Sequence, residues 1–569
     1  MSEKSNNLLR FWHELKRRKV IHVIVVYATS SFVIIELINN IFEPLRLPNW
    51  TPTMVIIILA IGFPFAIILS WVFDLTQKGI IKTEPIETVK TNGKKNLSTE
   101  QVSRLENSIA VLPFQDMSPK KDQEYFCDGI TEEIINALTN VTNLKVIART
   151  SAFAFKNKYE DIRKIGRELF VENILEGSVR KAGKKLRITA QLINVSDGSH
   201  YWSETYDREI KDIFEIQDEI SLAIVDKLKV ELVAEEKEKI LKSHTNNLEA
   251  YNLYLKGRHY WHNHRTEDGL AKAMDCFRKA IESDPDYALA YTGLADTYSA
   301  SIDWGYLNPI ETVPETKKLL SKSLELDNSV AETYIGLIYP QAFFDMEWDK
   351  AEQSAKMALQ LNNNSPSVHH FYAMYQMCLG NFDIALEHNR KARELDPLSV
   401  IFNFACGLIF YNSRQYEKSI EQYKKALALD NNFVLVHLWA IFPLFQAGQF
   451  EEIVSGYQKL LLHDIKTERF ASKIQVIFNE EGISGFLNWF IEEGVNLDMG
   501  IYNHAYWKAV SYSLLQKNDL AFEELENVMK VKSIRMNYIN IDPGLENIRS
   551  DPRFTLVLKR LKITRFDHT

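Results

Sequence analysis

The strings KAIESDP (279–285), KSLELDN (322–328), MALQLNN (357–363), KARELDP (391–397) and KALALDN (425–431) decide the fold of the second half of this chain. Each holds one small residue at the same place: Ala280, Ser323, Ala358, Ala392 and Ala426, at spacings of 43, 35, 34 and 34. A small residue near the end of a helix lets a neighbour approach closely, and the Asp-Pro or Asp-Asn that follows stops the helix. A period of 34 is that of a helix–turn–helix unit that buries its apolar stripe only by stacking on its neighbours. Other positions keep the same phase: Gly380-Asn381-Phe382 with Ala385, Arg414-Gln415-Tyr416 with Tyr423, and Gly448-Gln449-Phe450 with Tyr457. The long step contains IDWGYLNPIETVP (302–314), read as an insertion that enlarges the loop near Trp304. An all-α superhelical solenoid is therefore expected over 243–464.

The first helix of each unit should line the inner face of such an array. By register, His370, Met374 and Met377 point inward, then Phe404, Leu408, Tyr411 and Asn412, then Leu438, Phe442, Phe445 and Gln446. This trough is apolar and aromatic, so the expected occupant is a hydrophobic or helical peptide from an unknown protein partner. The competing occupants are the chain's own insertion loop, its α/β domain, or a second copy in a homo-oligomer. Beyond about Thr467 the period lapses, although EEGISGFLNWFIEEGV (480–495) still reads as helical. It returns in part before DPGLENIRSDPRFTLVLKRLKI (542–563), a terminal cap, so 465–569 is taken as repeat-like helices and cap.

Upstream, the apolar period changes from helical to alternating. SIAVLPF (108–114) and LKVIART (144–150) are strand patterns, and DGITEEIINALTNV (128–141) and YEDIRKIGREL (159–169) are helical ones. VENILEGSVRKAG, KKLRITAQLINVSDG and SHYWSETYDRE (171–209) alternate between Gly-containing turns, as in an antiparallel meander. One long helix, Ile213 to Leu241, closes the unit. The order βαβαβββα predicts an α+β domain over 108–242 with helices on one sheet face. Asp128 and Gly129, with Arg149, Thr150 and Ser151, meet at one sheet end and are a candidate ligand pocket. Helix capping and strand termination are the plainer roles for them. The polar stretch 82–107 reads as a flexible linker.

The amino terminus is different again. Residues 20–42 and 53–73 are two apolar runs, each long enough as a helix, at about 1.5 Å per residue, to cross a ~30 Å hydrocarbon layer. Trp12, Trp50 and Trp71 stand near their ends, and Lys4, Arg10, Lys16, Arg17, Arg18 and Lys19 precede them in a basic segment, 1–19. With basic residues on both flanks, a two-helix transmembrane hairpin over 20–81 is expected in the lipid bilayer of a bacterial inner membrane, with the soluble domains cytoplasmic.

Several long strings carry a family resemblance. SIAVLPF, YFCDGITEEII, LKVIARTSAFAFK, ILEGSVRKAGKKLRITAQLI and HYWSETYDREIKDIFEIQDEI resemble the TolB-like domain of a bacterial family that joins it to tetratricopeptide repeats. FWHELKRRKV and GFPFAIILSWVFDLTQKGI are similar to that family's membrane segment. Relatives often hang this module behind an adenylate cyclase domain or a CadC-like winged helix; only nineteen residues precede the first apolar run here.

The chemistry-bearing motifs are sparse. Net charge is −8, which disfavours a nucleic-acid coat. Cys127, Cys276, Cys378 and Cys406 form no CxxC pair. His259, His262 and His264 lack a carboxylate partner at metal-site spacing, and Gly177 with Gly183-Lys184 reads as a hairpin turn, not a phosphate loop. No catalytic, metal or cofactor residue is assigned. The expectation is a non-enzymatic membrane-anchored scaffold or signalling adaptor. The alternatives are a sensor whose α/β domain binds a small ligand and controls the repeats, and a protein regulating an associated adenylate cyclase.

Overall fold

The computed structural model describes residues 107–563 apart from 243, 264–265, 463–466 and 497–502. Of the first 106 it describes 27, 29–31, 34–35, 50, 53–59, 62–64, 73–76 and 79–82. The chain divides into two units, 1–101 and 102–569.

In the first unit, the described parts of 27–35 and 53–64 are helical, and the Tyr27 hydroxyl donates to the Leu59 carbonyl at 2.8 Å. Strand β1 (Phe73–Thr76) pairs antiparallel with β2 (Gly79–Lys82). The expected membrane hairpin is corrected here: among the described residues no helix is long and apolar enough to cross a membrane. Phe73, expected to end the second span, opens a strand instead. With the spans goes the basis for an inner-membrane location. Most of 20–42, the basic segment 1–19 and nearly all of the linker lie outside the described residues.

The second unit is a mostly helical solenoid with a small mixed-sheet domain. Its sheet has the order β5 (Lys145–Val146), β3 (Ser108–Val111), β6 (Asn173–Ala182), β7 (Lys185–Asn194), β8 (His200–Glu209), with β4 (Gln115–Asp116) beside β6. β3 runs parallel to β5 and β6, and β6–β7–β8 form an antiparallel meander. SIAV is wholly buried because both sheet faces are covered near β3. Ile109 and Val111 face helices α1 (Glu124–Thr139) and α4 (Ile213–Lys227) through Ile130, Ile134 and Ile220. Ala110 and Leu112 face the other way, onto Ile165 and Leu169 of α3 (Ile162–Leu169), beyond the short α2 (Arg149–Phe153). The helices thus cover both faces of the parallel half, whereas one face was expected. The expected long helix also breaks after Leu228: Lys229 turns left-handed (φ 55°), and α5 (Ala234–Ile240) restarts the chain.

Six helix pairs follow in phase. They are α6 (Leu248–Asn263) with α7 (Glu267–Ser283), α8 (Ala288–Asp303) with α9 (Pro309–Leu326), and α10 (Ala331–Ile338) with α11 (Trp348–Leu361). Then come α12 (Pro366–Cys378) with α13 (Phe382–Leu395), α14 (Val400–Asn412) with α15 (Tyr416–Leu429), and α16 (Val434–Gln446) with α17 (Phe450–Leu461). Their sequence explains the contacts: Gly257 and Gly407 lie under the rings of Phe277 and Tyr423, where a Cβ would collide. The insertion lengthens helices more than it enlarges a loop. α8 and α9 run 16 and 18 residues against 13 and 14 in α14 and α15. Pro309 at the first turn and the Asn308 side chain, accepting from the Ile310 N–H at 3.0 Å, start α9 at once.

The turns that close successive pairs carry the α/β domain and the segment that leads out of it. Thr245 hydrogen-bonds Asp284, and Lys242 meets Asp327 at 2.8 Å. Asn364 donates to the Val141 carbonyl at 2.8 Å, and the Ala148 N–H donates to the Leu395 carbonyl at 2.9 Å. The residues that stop the first four of these second helices thus hold the sheet domain or the segment leaving it as well.

After α17 the phase is lost. Helix α18 (Glu468–Glu492) bends at Gly482, whose φ is 64°. A further pair, α19 (His504–Leu514) and α20 (Asn518–Lys530), leads through turns at Ile534–Tyr538 and Pro543–Ile548 to α21 (Pro552–Arg560).

Candidate functional site

The inward register positions of the later repeats meet the chain's own carboxyl-terminal segment. The Tyr411 hydroxyl donates to Asp542 at 2.5 Å, Tyr506 bonds the other oxygen of Asp542, and the Gly544 N–H donates to it at 2.7 Å. Phe442 stacks on Trp507 at 5.4 Å, and Trp439 packs among Tyr506, Trp507 and Tyr538. Met377, Phe404, Leu408, Tyr411, Asn412, Leu438 and Phe442 are buried, Tyr411 and Phe442 against that segment and Phe404 against Tyr423 and Phe433 of the repeats, while His370, Met374, Phe445 and Gln446 are only partly so. Burial raises the Asp542 carboxyl despite its two phenol donors. It also pushes His370 down to about 4, with the ring against Phe402.

Of the five residues at the sheet end, Asp128, Arg149, Thr150 and Ser151 are engaged by other side chains of the chain. Asp128 lies inside α1, not at its start, because the helix begins four residues earlier at Glu124. It binds Lys156 at 2.6 and 2.8 Å and His259 of α6 at 3.2 Å, with Arg149 at 3.9 Å. One turn on, Glu132 takes Arg258 of α6 at 2.7 and 2.9 Å, Arg149 at 3.2 Å and His262 at 3.3 Å. Burial alone would raise the Glu132 carboxyl, yet Arg258, His262 and Arg149 hold it well below the usual range. Burial and then Arg149 push His262 down to about 3. Gly129 lets α6 approach, since a Cβ there would lie 2.6 Å from Leu255. Thr150 and Ser151 turn to Asp396 in the array, the Ser151 N–H donating to it at 2.9 Å. His259 and His262, set aside as metal ligands, serve this seam; His264 lies outside the described residues.

A cavity of about 190 Å³ opens beside that seam, between the α/β domain and the inner face of the first repeats. From α1 and α4 it receives Glu133, Gln217, Asp218 and Ser221, and from α6 Tyr251, Tyr254 and Arg258. α8 adds Thr292 and Asp296, and Glu332 of α10 stands at the rim. Burial pushes Glu133 up to about 7 against the pull of His244, Asp296 up to about 7 against that of Arg258, and Asp218 up to about 6. Reading the sequence for a trough missed this region, although the signal was present. Asp296 lies 16 residues after Ala280, as Leu408 lies 16 after Ala392, so it occupies the same inward position.

Comparison with known proteins supports two of these parts. Residues 105–223 match the family model of the HilA/YgeH-like transcriptional regulator second domain, and residues 402–433 match a tetratricopeptide repeat. Adenylate cyclase 3 of Rhizobium meliloti (strain 1021), so named by provisional assignment, is 45% identical over 188 residues, 33% of this chain and 32% of that relative. The peroxisomal targeting signal receptor of Saccharomyces cerevisiae is 24% identical over 251 residues, 37% of this chain and 40% of its own. The chain thus spans about a third of the first curated relative and two fifths of the second. Among solved structures, YrrB, a TPR protein with an unusual peptide-binding site, aligns over 35% of this chain and 99% of its own, at 19% identity and a TM-score of 0.24.

Proposed function

We propose that this chain is a non-catalytic scaffold that gathers other proteins into a signalling assembly. The observation that carries the reading is the stack of phased helix pairs from α6 to α17, of which residues 402–433 match a tetratricopeptide repeat. Stacks of this kind offer long ordered surfaces at little conformational cost.

Energetics decide which surface is on offer. Where the terminal segment meets the repeats, Tyr506, Trp507 and Tyr538 are buried against Trp439 and Phe442, and Tyr411 and Arg414 bond Asp542 and the Ile541 carbonyl. At ~1.5 kcal/mol or more each, these three side chains alone are worth upwards of ~4.5 kcal/mol. A visiting peptide would first have to release these contacts, so partners are assigned to the outer faces of the second helices. There, i,i+4 pairs such as Glu352–Lys356, Glu387–Lys391 and Glu421–Lys425 flank exposed Met357, Ile384 and Leu429.

The test is cross-linked capture by the full chain against a Met357→Glu, Ile384→Glu, Leu429→Glu variant of equal thermal stability. Loss of a defined set of partners by the variant supports the outer faces, and an unchanged set removes them. Formation of cyclic AMP from ATP by the purified chain would overturn the non-catalytic reading.

A further inference from the structure

The cavity between the sheet domain and the first repeats has a consistent chemical bias. The basic groups on its walls are already engaged: Arg258 by Glu132, Lys242 by Asp327 at 2.8 Å, and Lys239 by the Leu361 carbonyl at 3.3 Å. Its acids are not. Among the described residues, Glu133, Asp218 and Asp296 enter no ion pair, and burial holds each carboxyl above its ordinary range even though His244 and Arg258 pull Glu133, and Arg258 pulls Asp296, the other way. Independently of these acids, Ser221 lines the cavity with 1% of its surface exposed and a hydroxyl that has no hydrogen-bond partner. A buried hydroxyl in that state marks room for a donor or acceptor from outside the chain. Phe214, Tyr251, Tyr254 and Tyr287 supply aromatic faces on the remaining wall, with Gln217 tied to the Tyr251 hydroxyl at 2.6 Å.

We propose that this cavity binds a small organic cation bearing two amino or guanidinium groups, held by Glu133, Asp218 and Asp296, with the Ser221 hydroxyl accepting from one of its N–H groups. A metal ion is a poorer fit. Among the described residues no three His, Cys, Asp or Glu side chains converge as a metal site would need, and carboxylates brought by three different helices suit a ligand with a charged group at each end. The volume admits only a small molecule, below the usual 300–1,000 Å³ of drug-sized pockets. Aromatic faces beside a desolvated ammonium add cation–π attraction.

The titration of these acids sets a second signature. Glu132, His244 and Arg258 face Glu133; Arg258 and Glu332 face Asp296; Glu215 faces Asp218. A cation seated among them favours the ionised carboxylates, so binding releases protons near neutral pH and tightens as pH rises from 6 to 8.

Isothermal titration calorimetry of the full chain with 1,4-diaminobutane and agmatine tests the proposal, with 1,4-butanediol and Mg²⁺ as comparisons. The expected result is saturable binding of at least one diamine-type probe, none of the diol, and proton release in buffers of differing ionisation enthalpy. Glu133→Gln and Asp296→Asn should each weaken binding about tenfold or more. The remote exposed change Glu526→Gln should leave it alone. The neutral substitutions remove uncompensated charge and so should fold; should either fail, Asp218→Asn at the mouth carries the same prediction. No saturable binding of either probe, equal affinity in the cavity variants, or Mg²⁺ competing the probe away would each overturn the proposal. None of these outcomes touches partner capture by the outer helix faces.

Discussion

At the residue scale, the seam between α1 and α6 shows two adjacent carboxylates, Glu132 and Glu133, with different environments. Glu132 is buried with Arg258, Arg149 and His262 around it. Removing one partner strands the other, so Arg258→Ala should cost about 3–5 kcal/mol, read as a fall in the urea midpoint. Its neighbour Glu133 faces the cavity with no cation paired to it, and its carboxyl rises to about 7 from an ordinary 4.5. The folded chain therefore holds more protons than the unfolded chain between those values, and stability falls as pH rises through that window. Above pH 7 the penalty is complete. Glu133→Gln should then raise stability at pH 8 by about 1–3 kcal/mol, and by little at pH 4. Thermal melts at the two pH values check this, and an equal gain at both would refute it.

At the scale of elements, the carboxyl-terminal segment is bound to the array through Asp542, which accepts from the Tyr411 and Tyr506 hydroxyls and the Gly544 N–H. Asp542→Ala leaves the buried Tyr411 and Tyr506 hydroxyls without that acceptor, while the Gly544 N–H keeps the Tyr411 oxygen at 3.1 Å; at about 1–3 kcal/mol for each hydroxyl, a loss of about 2 kcal/mol or more is expected in chemical denaturation. The helix pairs were legible in the sequence because 34-residue phasing repeats the same physical problem: a stripe to bury, a small residue to admit a neighbour and a stop. The terminal helices were legible too, from HAYWKAVSYSLL onward. Their seat was not legible, because periodicity records how a repeat meets its neighbours and says nothing of where an out-of-phase segment packs. The sheet end fails for a related reason. Asp128, Arg149 and Ser151 looked like pocket residues from their polarity, but the partners that occupy them, His259 and Asp396, lie 131 and 245 residues away in the chain. For the apolar amino-terminal runs, among the described residues no helix is long and apolar enough to cross a membrane, and Phe73 belongs to a strand.

At the scale of the whole second unit, sheet domain and solenoid share one set of supports. A fragment limited to 108–242 would expose Asp128, Glu132 and Arg149 without α6, and it should be poorly folded by circular dichroism and rapidly cleaved by protease. Residues 102–569 should unfold in one transition when followed by tryptophan fluorescence and by amide signal; two separated transitions would show the domains to be independent. Helical arrays elsewhere behave as springs, lengthening or tightening as each unit shifts slightly against the next. Here Asp284, Asp327, Asn364 and Leu395, at four successive coils, are fastened to the sheet domain or to the segment that leads out of it. Pulled from its ends, this stretch should resist until a fastening gives way, and then extend abruptly. A spring soldered at four of its coils keeps one pitch there, so whatever docks along it must match a curvature already set.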